Sequence, residues 1–444
     1  MRTEVTGWWR PAAAAATSPA VAGGEQFASR GGVVAFGALV AFTCLLLLAP
    51  QSFIPALGAL HLPLLCALVA GGAYVSDRLS RHERLVDLTP PMRLALMLAA
   101  WAALTVPMSL WPGGSVKFFF GIYFKALVVF ALLAGVVDSL PRLKTLAWTL
   151  SLLAAPLSLA AIKNYVSGGG RAEALSEGLD RIMGYNGSLT ANPNDLALML
   201  NLILPLSIAL FLSTRSLVPR LLLVGLIALD GIAIVASFSR AGFLVLGMTG
   251  FIYLCILFRR RMHGLALLVI AGAMMAAAML PSSYLERLST ITNIQADKTN
   301  SAQTRYRDYL TAAGYVVEHP LMGAGIGMDI LALNEARGET WTKVHDVYLE
   351  YAVDLGVPGV ALFLLLLRAI MRDLGRARRQ AATEPGGIEL HALLEGISVS
   401  LVGFMLAALF YPDAYQFYFY YMAGLAVAGI AITARRNVAK EMPA

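Results

Sequence analysis

LLLVGLIALDGIAIVASFSRAGFLVLGMTGFIYLCILF, residues 221–258, holds two apolar runs, 221–237 and 241–258, separated by a tip too short to be a linker. Each run is long enough to cross about 30 Å of hydrocarbon as a helix. Asp230 and Arg240 are the only charged residues in the stretch, whereas Arg215 and Arg220 precede it and Arg259, Arg260 and Arg261 follow it. Basic flanks around a hairpin place both its ends in the cytoplasm and its tip on the periplasmic side.

The same pattern recurs along the chain. Apolar runs near 31–49, 55–75, 92–110, 117–137, 144–163, 195–213, 264–281, 357–371, 389–411 and 415–434 bring the expected number of spans to twelve. Composition agrees: 58% of the 444 residues are apolar and 14% charged, with a mean hydropathy of +0.69. A water-facing surface cannot be built from that mixture, so soluble, disordered and disulfide-scaffold classes are excluded. The expected fold is an all-α polytopic membrane protein, and the lipid bilayer is its first partner.

A formal charge of +7 could point to nucleic acid, but most Lys and Arg residues fall in the inner loops, at least two in each short one. The basic balance therefore reports topology, with both termini cytoplasmic, and no nucleic-acid partner is expected. Cys44, Cys66 and Cys255 lie in apolar runs and have no metal or disulfide spacing. The organisation reads as a cytoplasmic tail (1–30), spans one to five (31–163), a long periplasmic loop (164–194) and spans six to nine (195–281). A large periplasmic loop (282–345), a periplasmic helix with spans ten to twelve (346–434) and a short tail (435–444) complete it.

Chemistry is expected in the two long outer loops, because a rigid scaffold presents them. SAQTRYRDYLTAAGYVVEHP (301–320) has helical spacing and stops at Pro320, and a second helix starts after His345, with Asp346 in its first turn and Gly356 to Pro358 breaking it. Arg240 stands at the membrane's outer rim, against the positive-inside bias. It is either a snorkelling residue or a guanidinium that offers paired donors to a phosphate. Arg305 and Arg307, two positions apart, cannot share a helix face, and either could be solvated surface charge. His345 suits proton abstraction from a hydroxyl, although a lone His in a loop is often only polar surface. LMGAGIG (321–327) imitates a nucleotide fingerprint, but it follows a helix and is read as a tight turn. Lys125 and Asp230, opposite in sign within spans, are candidates for an ion pair. No D-x-D or His/Cys pairing suggests a metal, and no cofactor is expected.

ANPNDLALML (191–200), SFSRAGF (237–243), the stretch from Arg305 to GAGIG (323–327) and HDVYLEYAVDLGVPG (345–359) occur in an order and spacing that resembles the O-antigen ligase and O-antigen polymerase superfamily of bacterial inner-membrane glycosyltransferases. The resemblance spans roughly residues 115–411. It implies a metal-independent, inverting transfer of a glycan from undecaprenyl diphosphate to a sugar hydroxyl on the periplasmic face. Catalytic roles then fall on Arg240, Arg305 and His345, and substrate contacts on Arg181, Asn194, Arg307 and Tyr309. Tyr309 stands where the family usually has Trp, and Asp346 where it usually has Asn. The acceptor is expected to be a second lipid-linked glycan, in O-antigen or exopolysaccharide polymerisation with a chain-length regulator as a further partner, or alternatively lipid A-core. A reading of another class, a secondary transporter, would need two repeated halves, and none is visible.

Overall fold

The computed structural model describes residues 30–167, 185, 189–278, 301–337 and 341–441, and these form helices and loops with no strand among them. In chain order the α-helices are α1 Arg30–Leu48, α2 Leu62–Ser80, α3 Pro90–Thr105, α4 Pro112–Phe118, α5 Phe124–Val136, α6 Leu140–Ser167, α7 Pro193–Ser213 and α8 Leu217–Ala236. They continue as α9 Arg240–Arg259, α10 His263–Ala278, α11 Ser301–Glu318, α12 Asp329–Arg337, α13 Val347–Thr383, α14 Ile388–Ala407 and α15 Phe417–Glu441. A π-turn, Phe119–Tyr123, joins α4 and α5 into one span.

Eleven helical segments among the described residues are long and apolar enough to cross a membrane. α10, on the run expected as a twelfth span, is shorter, with its apolar part at His263–Met275, and residues 279–281 of that run lie outside the described part. Several helices open as their sequences dictate. Pro90, Pro112 and Pro193 occupy first turns, where a missing N–H costs nothing. The Thr89 and Asn192 side chains accept from the following backbone.

α7 packs on α14 and α15 on α5, and these central helices are buried over most of their apolar length, whereas α2 is exposed along nearly all of it. Asp230 accepts from the Ser158 hydroxyl at 2.7 Å, and Lys125 is exposed on α5, so the ion pair expected between Lys125 and Asp230 does not form: the two side chains face different surroundings.

One break in the helical order shapes the end of the bundle near His345. α13 is interrupted at Gly356, whose φ of 68° is left-handed, so the carbonyls just before it lose their intrahelical partners. The turn 323–328 satisfies them: Ala324 N donates to Val353 O at 2.7 Å and Gly325 N to Asp354 O at 2.8 Å, and Trp101 Nε1 reaches Leu355 O at 2.9 Å. The Gly-rich stretch is thus a structural turn. At Gly327, also left-handed, a Cβ would collide with the Phe118 ring, which explains why this corner needs glycine.

Candidate active site

Arg240 is the first residue of α9. Ser239 caps that helix, its hydroxyl accepting from Gly242 N at 3.1 Å, and Asn201 of α7 donates to Gly242 O at 3.1 Å. The start of α9 is therefore fixed from two sides, with the positive end of the helix dipole beside the guanidinium. Ser239 Oγ also lies 3.3 Å from the hydroxyl of Tyr411, a buried side chain in the loop between α14 and α15. Tyr411 in turn feels the charge of Arg305, on the first turns of α11. The same guanidinium acts on Tyr309 and on His345. Arg305 and His345 thus share one neighbourhood, and Tyr411 and Ser239 connect it to the start of α9, where Arg240 stands.

Burial, reinforced by the Arg305 cation, pushes the His345 pKa down to about 4, against the opposing effects of Asp308 and the Lys343 main chain. At neutral pH the imidazole is uncharged, which a proton acceptor must be. Its Nδ1 is buried and makes no hydrogen bond. The residue is held from both sides. Asp346 caps α13 by accepting from Leu349 N at 2.9 Å, and Val347 N donates to Ala408 O at 2.7 Å. Asp and Asn cap equally well, so the departure at Asp346 keeps the geometry. The Tyr309 hydroxyl donates to Leu409 O at 2.7 Å and lies 3.3 Å from His345 O. The indole N–H of a Trp would offer the same kind of donor.

A buried ion pair stands behind these groups. Arg337 on α12 meets Asp308 on α11 at 2.6 Å, with both side chains almost inaccessible (0% and 2%), and donates to Thr342 O at 2.7 Å. Asp308 is one turn from Arg305, and Thr342 is three residues before His345, so this pair ties the segment of the Arg305 guanidinium to that of the imidazole. A buried pair of this kind is costly to break, because the surviving charge is left without its partner.

Asp329, Glu350 and Asp354 form a second buried cluster, each offering an oxygen within 4.8 Å of the others. Oxygens of this type suit a divalent cation. The chain, however, already supplies them with partners: Val344 N to Asp329 at 3.1 Å, Ala414 N to Glu350 at 3.0 Å, and Gly327 N and Met328 N to Asp354 at 2.7 and 3.0 Å. Lys343 Nζ lies 3.8 Å from Glu350. Burial disfavours its charge, but Glu350, Asp329, Asp413 and Asp354 outweigh that and raise its pKa. Lys343 is the cation this cluster is built around. Beneath it an aromatic layer, with Tyr351 on Phe363 (4.3 Å) and Tyr415 against Tyr351 (4.8 Å) and Phe118 (5.4 Å), separates the charges from the apolar bundle.

The remaining sequence-predicted residues fall as follows. Asn194 is half-buried at the start of α7, its N–H bonded to Asn192 Oδ1 at 2.8 Å, next to Asp195, which feels Asp413 and Lys343. Arg307 is exposed on the side of α11 away from buried Asp308, as the two-residue spacing from Arg305 requires. Arg181 lies outside the described residues. Sequence reasoning missed Lys343, Tyr411, Asp413 and the Asp308–Arg337 pair. A signal existed for Asp413: YPDAY (411–415) sets a carboxylate into a short loop between two apolar spans.

These features define a multi-pass membrane protein with a polar, cation-lined site at one end of its helical bundle. Residues 223–364 match the family model described as O-antigen ligase, and the match supports the resemblance to the O-antigen ligase and polymerase superfamily and to its type of glycan transfer. That segment includes Arg240, Arg305 and His345. No curated protein matches the chain.

Proposed function

We propose that the protein is a glycosyltransferase that moves a glycan from undecaprenyl diphosphate to a sugar hydroxyl on the periplasmic face of the inner membrane, without a metal and with inversion, in O-antigen or exopolysaccharide polymerisation. The observation that carries this reading is the half-buried His345 imidazole, its Nδ1 buried without a hydrogen bond, within the field of the Arg305 guanidinium, with the start of α9 reached through Ser239 and Tyr411. The acceptor oxygen attacks the anomeric carbon and passes its proton to a ring nitrogen of His345. The bond from that carbon to the diphosphate breaks, and the electron pair leaves with the lipid carrier. Charge growing on the diphosphate is stabilised by the two guanidiniums and by the positive end of α9. Attack from the face opposite the leaving group inverts the configuration.

The description of the matching family favours a second reading, in which the acceptor is lipid A-core. Deleting the gene and resolving the surface glycan on a gel separates the two: single-repeat glycans mark a polymerase, and loss of all lipid A-linked glycan marks a ligase. Turnover of a lipid diphosphate-linked glycan by the purified protein, with release of undecaprenyl diphosphate, tests the reaction itself. Loss of turnover on adding chelator would remove the role given to the arginines.

A further inference from the structure

At the end of the bundle opposite His345, where α7 finishes, a cavity of about 560 Å³ opens between the starts of α6, α8 and α14. Its walls include Lys144, Trp148, Thr214, Arg215, Ser216 and Glu389. Lys144 and Glu389 pair at 2.8 Å, so the carboxylate is neutralised within the wall and Arg215 leaves the lining net positive. Ser216 occupies the cap position of α8, but its side chain accepts no bond from that helix, so the positive helix end is not compensated by its cap side chain. The rim is different in character. Ile388 lines the cavity and is 63% exposed, and Leu217 and Val218, which lie between the lining residues Ser216 and Pro219, are 69% and 78% exposed and continue along α8 as exposed Leu221 and Leu222.

A cationic recess that opens onto an apolar helix face matches an amphiphile with an anionic head. We propose that this cavity binds the phosphate of an anionic phospholipid, with its acyl chains laid along the first turns of α8. The guanidinium of Arg215 offers paired donors to the phosphate oxygens, and Trp148 sits where an indole is favoured at a membrane interface. The excess of Lys and Arg in the loops at this end assigns the site to the cytoplasmic leaflet, the one rich in anionic lipid. Nothing in the glycan-transfer chemistry uses these residues.

The test is native mass spectrometry of the purified full-length protein after exchange into mixtures of phosphatidylglycerol and phosphatidylcholine with identical acyl chains. Wild-type protein retains phosphatidylglycerol in preference. Arg215→Gln and Lys144→Gln each lower that retention about fivefold, the effect of one cation at a lipid surface, and Arg215→Lys restores most of it. Arg376→Gln, a change at an exposed cation of the same end outside the cavity, leaves retention unchanged. Equal retention of the two lipids, or an equal loss in Arg376→Gln and Arg215→Gln, overturns the proposal. A thermal midpoint raised by soluble glycerol phosphate as much as by phosphatidylglycerol assigns the cavity to a free phosphate and overturns the lipid.

Discussion

Charges at the two ends of the bundle are used differently. Around His345 they are interlocked: the Arg337–Asp308 pair is buried on both sides, and half-buried Lys343 reaches a set of buried carboxylates. At the other end they are mostly on the surface: Arg372 and Arg376 share Asp373 with side chains 46% and 61% exposed, and Arg78 meets the half-exposed Glu83. Exposed pairs contribute little to stability, but they still set orientation, because the positive-inside bias needs only the charge and not a partner. Buried pairs fix distances. The comparison teaches that the same residue types report topology at one end and geometry at the other, and that burial decides which.

The strongest way to break the contrast is at the imidazole. His345→Ala should lower turnover by about 10²–10⁴, the usual contribution of a positioned proton acceptor, with helix content and membrane insertion unchanged. A loss below tenfold would leave His345 as part of the scaffold only. Arg240→Ala and Arg305→Ala should each cost about 10²–10³ in turnover, the scale for one donor aimed at developing negative charge. Arg305→Ala should also raise the His345 pKa, since that cation helps to depress it.

Arg337→Met addresses geometry rather than chemistry. Removing one partner of the buried pair should destabilise the outer-loop fold by about 3–5 kcal/mol, read as increased hydrogen exchange in 301–345. pH sharpens the assignment. The base works when unprotonated, so turnover should stay level from pH 8 down to about 5 and fall as the medium approaches the His345 pKa near 4. A midpoint near 6.5, the ordinary value for histidine, would mean that the imidazole is solvated. At the other end, Arg372→Ala should change stability by no more than about 0.5 kcal/mol and leave turnover as it is.

The all-helical membrane fold was legible because twenty-residue apolar runs admit few other solutions in lipid. Helix starts were legible where a cap or proline sits before an apolar run, as at Asn192–Pro193 and Asp346. The turn reading of 321–327 came from context, since a helix precedes it. The partner of each buried charge was not legible. Asp230 has its companion on α6 and Arg337 on α11, and nothing in the local pattern of either points to Ser158 or Asp308. The carboxylate cluster was legible only in part: Glu350 and Asp354, four apart on α13, share a helix face, but nothing local points to Asp329, which the turn 323–328 brings beside them.

The contacts that hold His345 have a consequence for how the molecule is made. Val347 bonds to Ala408, Tyr309 to Leu409, and Glu350 to Ala414. Every one of these anchors is translated after the histidine itself, in the corner that links the last two spans. A nascent chain that ends at residue 383 therefore carries Arg240, Arg305 and His345 but none of these three anchoring residues. The corner around His345 is therefore completed only when the final hairpin packs against it.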